Sequence, residues 1–88
     1  MSLNVKSDST PVRGISEIAK EISNEWKNVH FSARPYLDAM YRLNTIDDVF
    51  YMDDAKTIIL YFLGNAQSFR GPKAKELKAE LKKIAGIK

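Results

Sequence analysis

The sequence lacks several residue types that small proteins commonly use for stability or chemistry. None of its 88 residues is cysteine, and only one, His30, is histidine. Disulfide bonds and zinc–thiolate sites are therefore excluded, although domains of this size often depend on them. The four glycines are scattered, so no phosphate-binding loop or nucleophile motif is present. The absence of these residues and motifs predicts a protein that is not an enzyme and holds no metal or cofactor.

Long hydrophobic runs are also missing. The longest apolar stretch, residues 57–64, is much shorter than the roughly 20 residues that a membrane-spanning helix needs. The first residues do not have the apolar core of a secretory signal peptide. Together with the absence of cysteine, these features predict a cytoplasmic protein that makes no contact with a membrane.

What the sequence does contain is typical of one small globular domain. Hydrophobic residues make up 44% of the chain and charged residues 28%. Residues 1–13 carry few apolar side chains and include Pro11, which predicts a flexible, disordered N-terminal segment. Residues 14–88 are predicted to form a single helical domain.

Apolar residues recur at three- and four-residue spacing in four segments, which predicts four main helices. The segments are, approximately, residues 16–28, 32–44, 54–69 and 72–85. Thr45 and Asp48 resemble a capping box and predict a further short helix over residues 46–51. Asp53 is the expected N-cap of the long apolar helix that follows. The predicted fold is therefore all-α, a compact bundle of four main helices plus one short helix.

Charge is distributed unevenly along a chain whose net charge is +3. Residues 38–54 contain five acids and one basic residue, whereas residues 70–88 contain seven basic residues and two acids. The charge is therefore polarised along the chain, which is the one electrostatic indication of a binding function that the sequence offers.

Eight segments of the sequence form a recognisable pattern, namely residues 15–22, 26–29, 33–40, 55–56, 61–63, 65–66, 70–71 and 78–81. These segments resemble a group of small uncharacterised proteins encoded by bacteriophages and mobile elements of bacteria. The resemblance covers most of the chain and implies a genomic setting in a bacterial host, but it supplies no functional residue.

Two acidic pairs could in principle attract a divalent cation. Asp47 with Asp48 and Asp53 with Asp54 supply carboxylates, but the pattern of a Ca²⁺-binding loop is absent. Both pairs precede predicted helices, where aspartate is preferred as a capping residue. Capping is therefore the favoured interpretation.

Binding to a host or phage protein is the function that the sequence favours. Aromatic side chains are numerous for a small domain, and those left on the surface would mark a partner site. The surplus apolar surface of the long helix also allows a homodimer. The predicted protein-binding residues are Tyr41, Phe69, Asp47, Asp48, Asp53 and Asp54.

Nucleic-acid binding is the alternative, because lysines on one helix face can contact phosphates without reading sequence. Two acids, Glu76 and Glu80, interrupt the basic residues in sequence, and no helix-turn-helix pattern is evident. The predicted nucleic-acid-binding residues are Arg70, Lys75, Lys78 and Lys82.

Overall fold

The computed structural model describes residues 13–87, so the predicted flexible segment lies outside the described residues except for Arg13. Within residues 13–87 no helix combines the length and the apolar character needed to cross a membrane. The same range contains four helices, α1 (Ile15–Glu25), α2 (Arg34–Met40), α3 (Ala55–Gly64) and α4 (Pro72–Ala85).

A two-stranded antiparallel hairpin, formed by β1 (Val49–Phe50) and β2 (Asp53–Asp54), lies between α2 and α3. The fold is therefore mostly helical, as predicted, but it is not all-α. The prediction of a short helix over residues 46–51 is wrong, because within the described residues no helix lies between α2 and α3. The Asp48 carboxylate does accept a hydrogen bond from the Thr45 N–H at 3.1 Å. That contact closes a single turn. The next residues, the β-branched Val49 and the aromatic Phe50, favour an extended conformation and pair with β2.

The helix boundaries follow local capping chemistry. At the start of α1 the Glu17 carboxylate accepts a hydrogen bond from the Gly14 N–H at 3.2 Å. Asp54, not the predicted Asp53, caps α3 by accepting from the Thr57 N–H at 2.8 Å. The predicted bounds of α4 are confirmed, because Gly86 adopts a left-handed conformation with φ of 73° and ends the helix.

The core lies between all four helices and is filled by aliphatic side chains with one aromatic cluster at its edge. Trp26, just after α1, packs edge-on against Phe62 of α3, with ring centroids 6.2 Å apart. The Trp26 ring also stacks on the Phe69 ring, with centroids 5.1 Å apart. The largest fully buried side chains are Phe62, Ile15, Ile18, Ile22, Leu37, Met40, Leu43, Ile59, Leu77 and Leu81.

An ion-pair network, which we call the Arg13 network, joins α1 to α4. The Arg13 guanidinium donates to both oxygens of Glu80, at 2.9 and 2.6 Å, and to Glu21 at 2.5 Å. Lys73 of α4 lies 2.6 Å from the second oxygen of Glu21. Hydrogen bonds from Lys73 and then from Arg13 lower the pKa of Glu21 below its ordinary value of 4.5.

We expect the stability of the fold to be lost in acid through this network. A carboxyl group whose pKa is lowered by folding stabilises the folded state fully above its unfolded pKa, and that contribution disappears as the pH falls through the folded value. The melting temperature should therefore be constant above about pH 5 and should decline at lower pH. Replacing the carboxylate in Glu21→Gln should lower the plateau and make the acid decline shallower. Thermal unfolding by circular dichroism at a series of pH values checks this, and identical slopes for the two proteins would contradict it.

Candidate interaction surfaces

The hairpin presents a small apolar tip to solvent. Its two-residue turn consists of Tyr51 and Met52, whose side chains are 85% and 96% exposed. Tyr51 has a φ of 58° and is the only non-glycine residue with positive φ within residues 13–87. A left-handed conformation costs a non-glycine residue roughly 1–2 kcal/mol. The turn therefore keeps an aromatic side chain at a position where glycine or asparagine would be less strained.

The opposite side of the hairpin is anchored to the helices. Phe50 and Ile46 are partly buried and pack against the core. The Phe50 ring also meets the Tyr51 ring edge-on, with centroids 4.6 Å apart. At the base, the Ala55 N–H donates to the carbonyl of Asp48 at 3.0 Å. These contacts fix the position of the exposed tip relative to the bundle.

The four acids predicted to bind protein divide into two kinds. Asp48 accepts from the backbone N–H groups of Asn44 and Thr45, which lower its pKa, and hydrogen bonds from Thr57 likewise lower the pKa of Asp54. Their carboxylates therefore support the local backbone. The side chains of Asp47 and Asp53 are exposed and make no hydrogen bond or ion pair with another residue in the described range.

The two predicted aromatic contacts occupy different environments. Tyr41 follows α2, is 37% exposed, and shares a hydrogen bond between its hydroxyl and that of Ser23. Phe69 is only 3% exposed, because its ring stacks on Trp26 inside the domain. Its assignment as a protein-binding residue is therefore corrected. The structure does not bring Tyr41 and Phe69 together into one surface.

The outer side of α3 keeps two apolar side chains partly exposed. Leu60 is 44% exposed and Tyr61 is 52% exposed, with the Tyr61 ring 5.4 Å from that of Tyr36 on α2. This is the surface that the predicted homodimer would use. Within residues 13–87, no three histidine, aspartate or glutamate side chains are grouped so that they could share a metal ion.

Three of the predicted nucleic-acid-binding residues lie on one face of α4. Lys75, Lys78 and Lys82 are three and four residues apart and therefore share a helix face. The acids that interrupt them in sequence lie on the other flank, where Glu80 pairs with Arg13 and Glu76 lies 3.9 Å from Lys73. The basic face of α4 therefore contains no acid of its own helix.

Lys78 is partly buried, whereas its neighbours on the same face, Lys75 and Lys82, are exposed. Its ammonium group donates a hydrogen bond to the Phe69 carbonyl at 2.6 Å and lies 5.7 Å from the centre of the Phe69 ring. Burial, followed by the positive charges of Lys82 and Arg70, lowers the pKa of Lys78. The backbone uses one of the three ammonium donors, so a phosphate contact by Lys78 stays a prediction.

Comparison with protein-family models, with characterised proteins and with solved structures finds no match. The assignment of function therefore depends on these surfaces and their chemistry.

Sequence reasoning missed the three most exposed large apolar side chains of residues 13–87, which are Tyr51 and Met52 at the hairpin tip and Phe31 before α2. Val49 and Phe50, which follow an aspartate pair, indicate a short strand, but Tyr51 and Met52 are not residues that favour a two-residue turn. No comparable signal marks Phe31, because its exposure depends on how the connection between α1 and α2 packs.

Proposed function

We propose that this chain is a non-enzymatic accessory protein of a phage or mobile element, and that it acts by binding a host or phage protein through its hairpin. The observation that carries the proposal is the tip itself, where Tyr51 and Met52 are almost fully exposed on a turn with a left-handed residue. Backbone strain of this kind is concentrated at functional sites. The resemblance to phage and mobile-element proteins supports the genomic setting, and with it a cytoplasmic location in the bacterial host.

The tip has the composition of a binding hot spot. Tyrosine and methionine are enriched at protein interfaces, where a few large side chains supply most of the binding energy. Tyr51 and Met52 contribute little to the core, since their side chains lie in solvent. A strained turn that displays them is therefore better explained by a partner than by folding.

The charges around the tip indicate what kind of partner fits. The exposed carboxylates of Asp47 and Asp53 flank the turn in sequence and are not used in ion pairs with the described residues. A complementary surface would be an apolar pocket rimmed by lysine or arginine. Such complementarity mainly accelerates association and restricts the choice of partner.

We expect Tyr51→Ser/Met52→Ser to lose the partner that the wild-type protein captures from nuclease-treated host lysate. Loss of a two-residue hot spot should weaken binding by at least about 30-fold. The matched control is Leu60→Ser/Tyr61→Ser, which removes two apolar side chains exposed on α3. Quantitative mass spectrometry of the captured proteins measures the effect, and circular dichroism confirms that both variants fold.

The expected result is a protein retained by the wild type and by the α3 variant but depleted with the hairpin variant. Equal retention by all three proteins would overturn the assignment to the hairpin. Depletion with the α3 variant alone would move the interface to the outer side of α3.

A further inference from the structure

An open polar cavity of about 240 Å³ lies between the α1–α2 connection and the segment that joins α3 to α4. It contains a guanidinium group and no carboxylate. The Arg70 Nε donates to the Gln67 carbonyl at 3.3 Å, which holds the side chain over its own turn. The lining residues are His30, Ser32, Asn65, Gln67, Ser68 and Arg70.

An exposed aromatic ring stands beside this cavity. Phe31 is 82% exposed, and its ring stacks on His30 with centroids 4.7 Å apart and planes 26° from parallel. The imidazole is itself oriented, because the Ser32 N–H donates to its Nδ1 at 3.1 Å. The outer face of Phe31 is therefore a supported, solvent-exposed stacking platform.

Positive charge extends from the cavity along α4. Arg70 and Lys82 both lie close enough to Lys78 to act on its charge, and Lys75 continues the same helix face. Arg70, Lys75 and Lys82 form no ion pair with residues 13–87. Among the described residues no ion pair neutralises this cationic surface, and Arg70 places one end of it at the cavity lined by His30 and Ser32, the neighbours of Phe31.

We propose that the surface formed by Phe31, the polar cavity and the basic face of α4 binds single-stranded nucleic acid. A base stacks on Phe31, while Arg70, Lys75 and Lys82 contact successive phosphates. Proteins that hold single strands combine these two elements, because every base offers a flat face for stacking and every linkage carries a negative charge. A duplex hides its base faces and would leave Phe31 without a role. The proposal uses no residue of the hairpin and is independent of the proposed protein partner.

The test is fluorescence anisotropy of the full chain with labelled single-stranded thymidylate and uridylate oligomers and with a duplex, each about 20 nucleotides long. Phe31→Ala should weaken single-strand binding about 5- to 150-fold, from the loss of one stacked base, with an unchanged dependence on salt. Arg70→Ala/Lys82→Ala should weaken binding and reduce the slope of log affinity against log salt by about 1.4. The two oligomers show whether DNA or RNA is preferred.

The matched control for charge is Lys20→Ala/Lys56→Ala, which removes two exposed cations from α1 and α3 and should leave affinity nearly unchanged. Equal weakening by the two double variants would overturn the site, because it would indicate attraction to net charge alone. Undetectable binding to both oligomers, or a preference for the duplex that Phe31→Ala does not alter, would also overturn it. Tyr51→Ser/Met52→Ser should bind the oligomers normally, which separates this test from that of the hairpin.

Discussion

Phe69→Ala should lower the free energy of unfolding by about 3–5 kcal/mol, the range for truncating a buried aromatic side chain. Phe69 is 3% exposed and stacks on Trp26, so its removal leaves a cavity at the edge of the core. It also removes the ring that the Lys78 ammonium faces at 5.7 Å. A domain of this size is stable by only about 5–10 kcal/mol, so the substitution should remove roughly a third or more of the stability.

Phe31→Ala provides the matched control, because it truncates the same residue type at an 82% exposed position. Its free energy of unfolding should change by less than about 0.5 kcal/mol. Urea denaturation followed by tryptophan fluorescence and by circular dichroism measures both variants. Similar destabilisation by the two substitutions would contradict the placement of Phe69 in the core, and would return it to the candidate binding surface.

The parts of the fold that sequence predicted well are those specified by local chemistry. α4 begins at Pro72 and ends before Gly86 because proline suits a first helical turn and glycine readily adopts the left-handed terminal conformation. The regular apolar spacing of α1 likewise predicts its buried face. These signals act over one or two helical turns, so they can be read without knowing the tertiary structure.

The sequence predicted a helix where the hairpin lies, because the pattern formed by Thr45 and Asp48 can begin a helix or close a single isolated turn. The Asp48 carboxylate does accept from the Thr45 N–H, which is one of the two bonds of a capping box, yet the chain turns once and then extends. The turn contains no glycine or asparagine, and Tyr51 takes the left-handed conformation in their place. A tyrosine at such a position opposes local preference, so sequence reasoning could not predict the turn that carries the candidate site.

Part of the candidate surfaces also depends on contacts between distant residues. Phe69 was expected at the surface because it lies near a helix end, but stacking on Trp26 buries it. Glu80 was expected to interrupt the basic face of α4, but it pairs with Arg13, which is 67 residues away in sequence. Such pairings follow from how the helices pack, and helical periodicity alone does not specify them.

Arg13→Ala should lower the free energy of unfolding by about 1–2 kcal/mol, because one guanidinium makes charge-assisted bonds to carboxylates on two helices. It engages Glu80 through two nitrogens and Glu21 through a third. The Arg13 side chain is 38% exposed, so solvent screening keeps the expected loss well below that of a buried ion pair. The loss corresponds to a fall of roughly 4–16 °C in the melting temperature of a domain of this size.

The comparison with Arg13→Lys separates geometry from charge. A lysine restores the positive charge, but its single nitrogen cannot bridge two carboxylates as the three guanidinium nitrogens do, so it should recover only part of the stability. Arg42→Ala removes an exposed arginine without an ion pair to residues 13–87, and should change stability by less than about 0.5 kcal/mol. The deficit of Arg13→Ala should also shrink in high salt, since screening weakens the pairs that it removes. Full recovery by Arg13→Lys would mean that net charge, and not the bridging of α1 to α4, stabilises this side of the bundle.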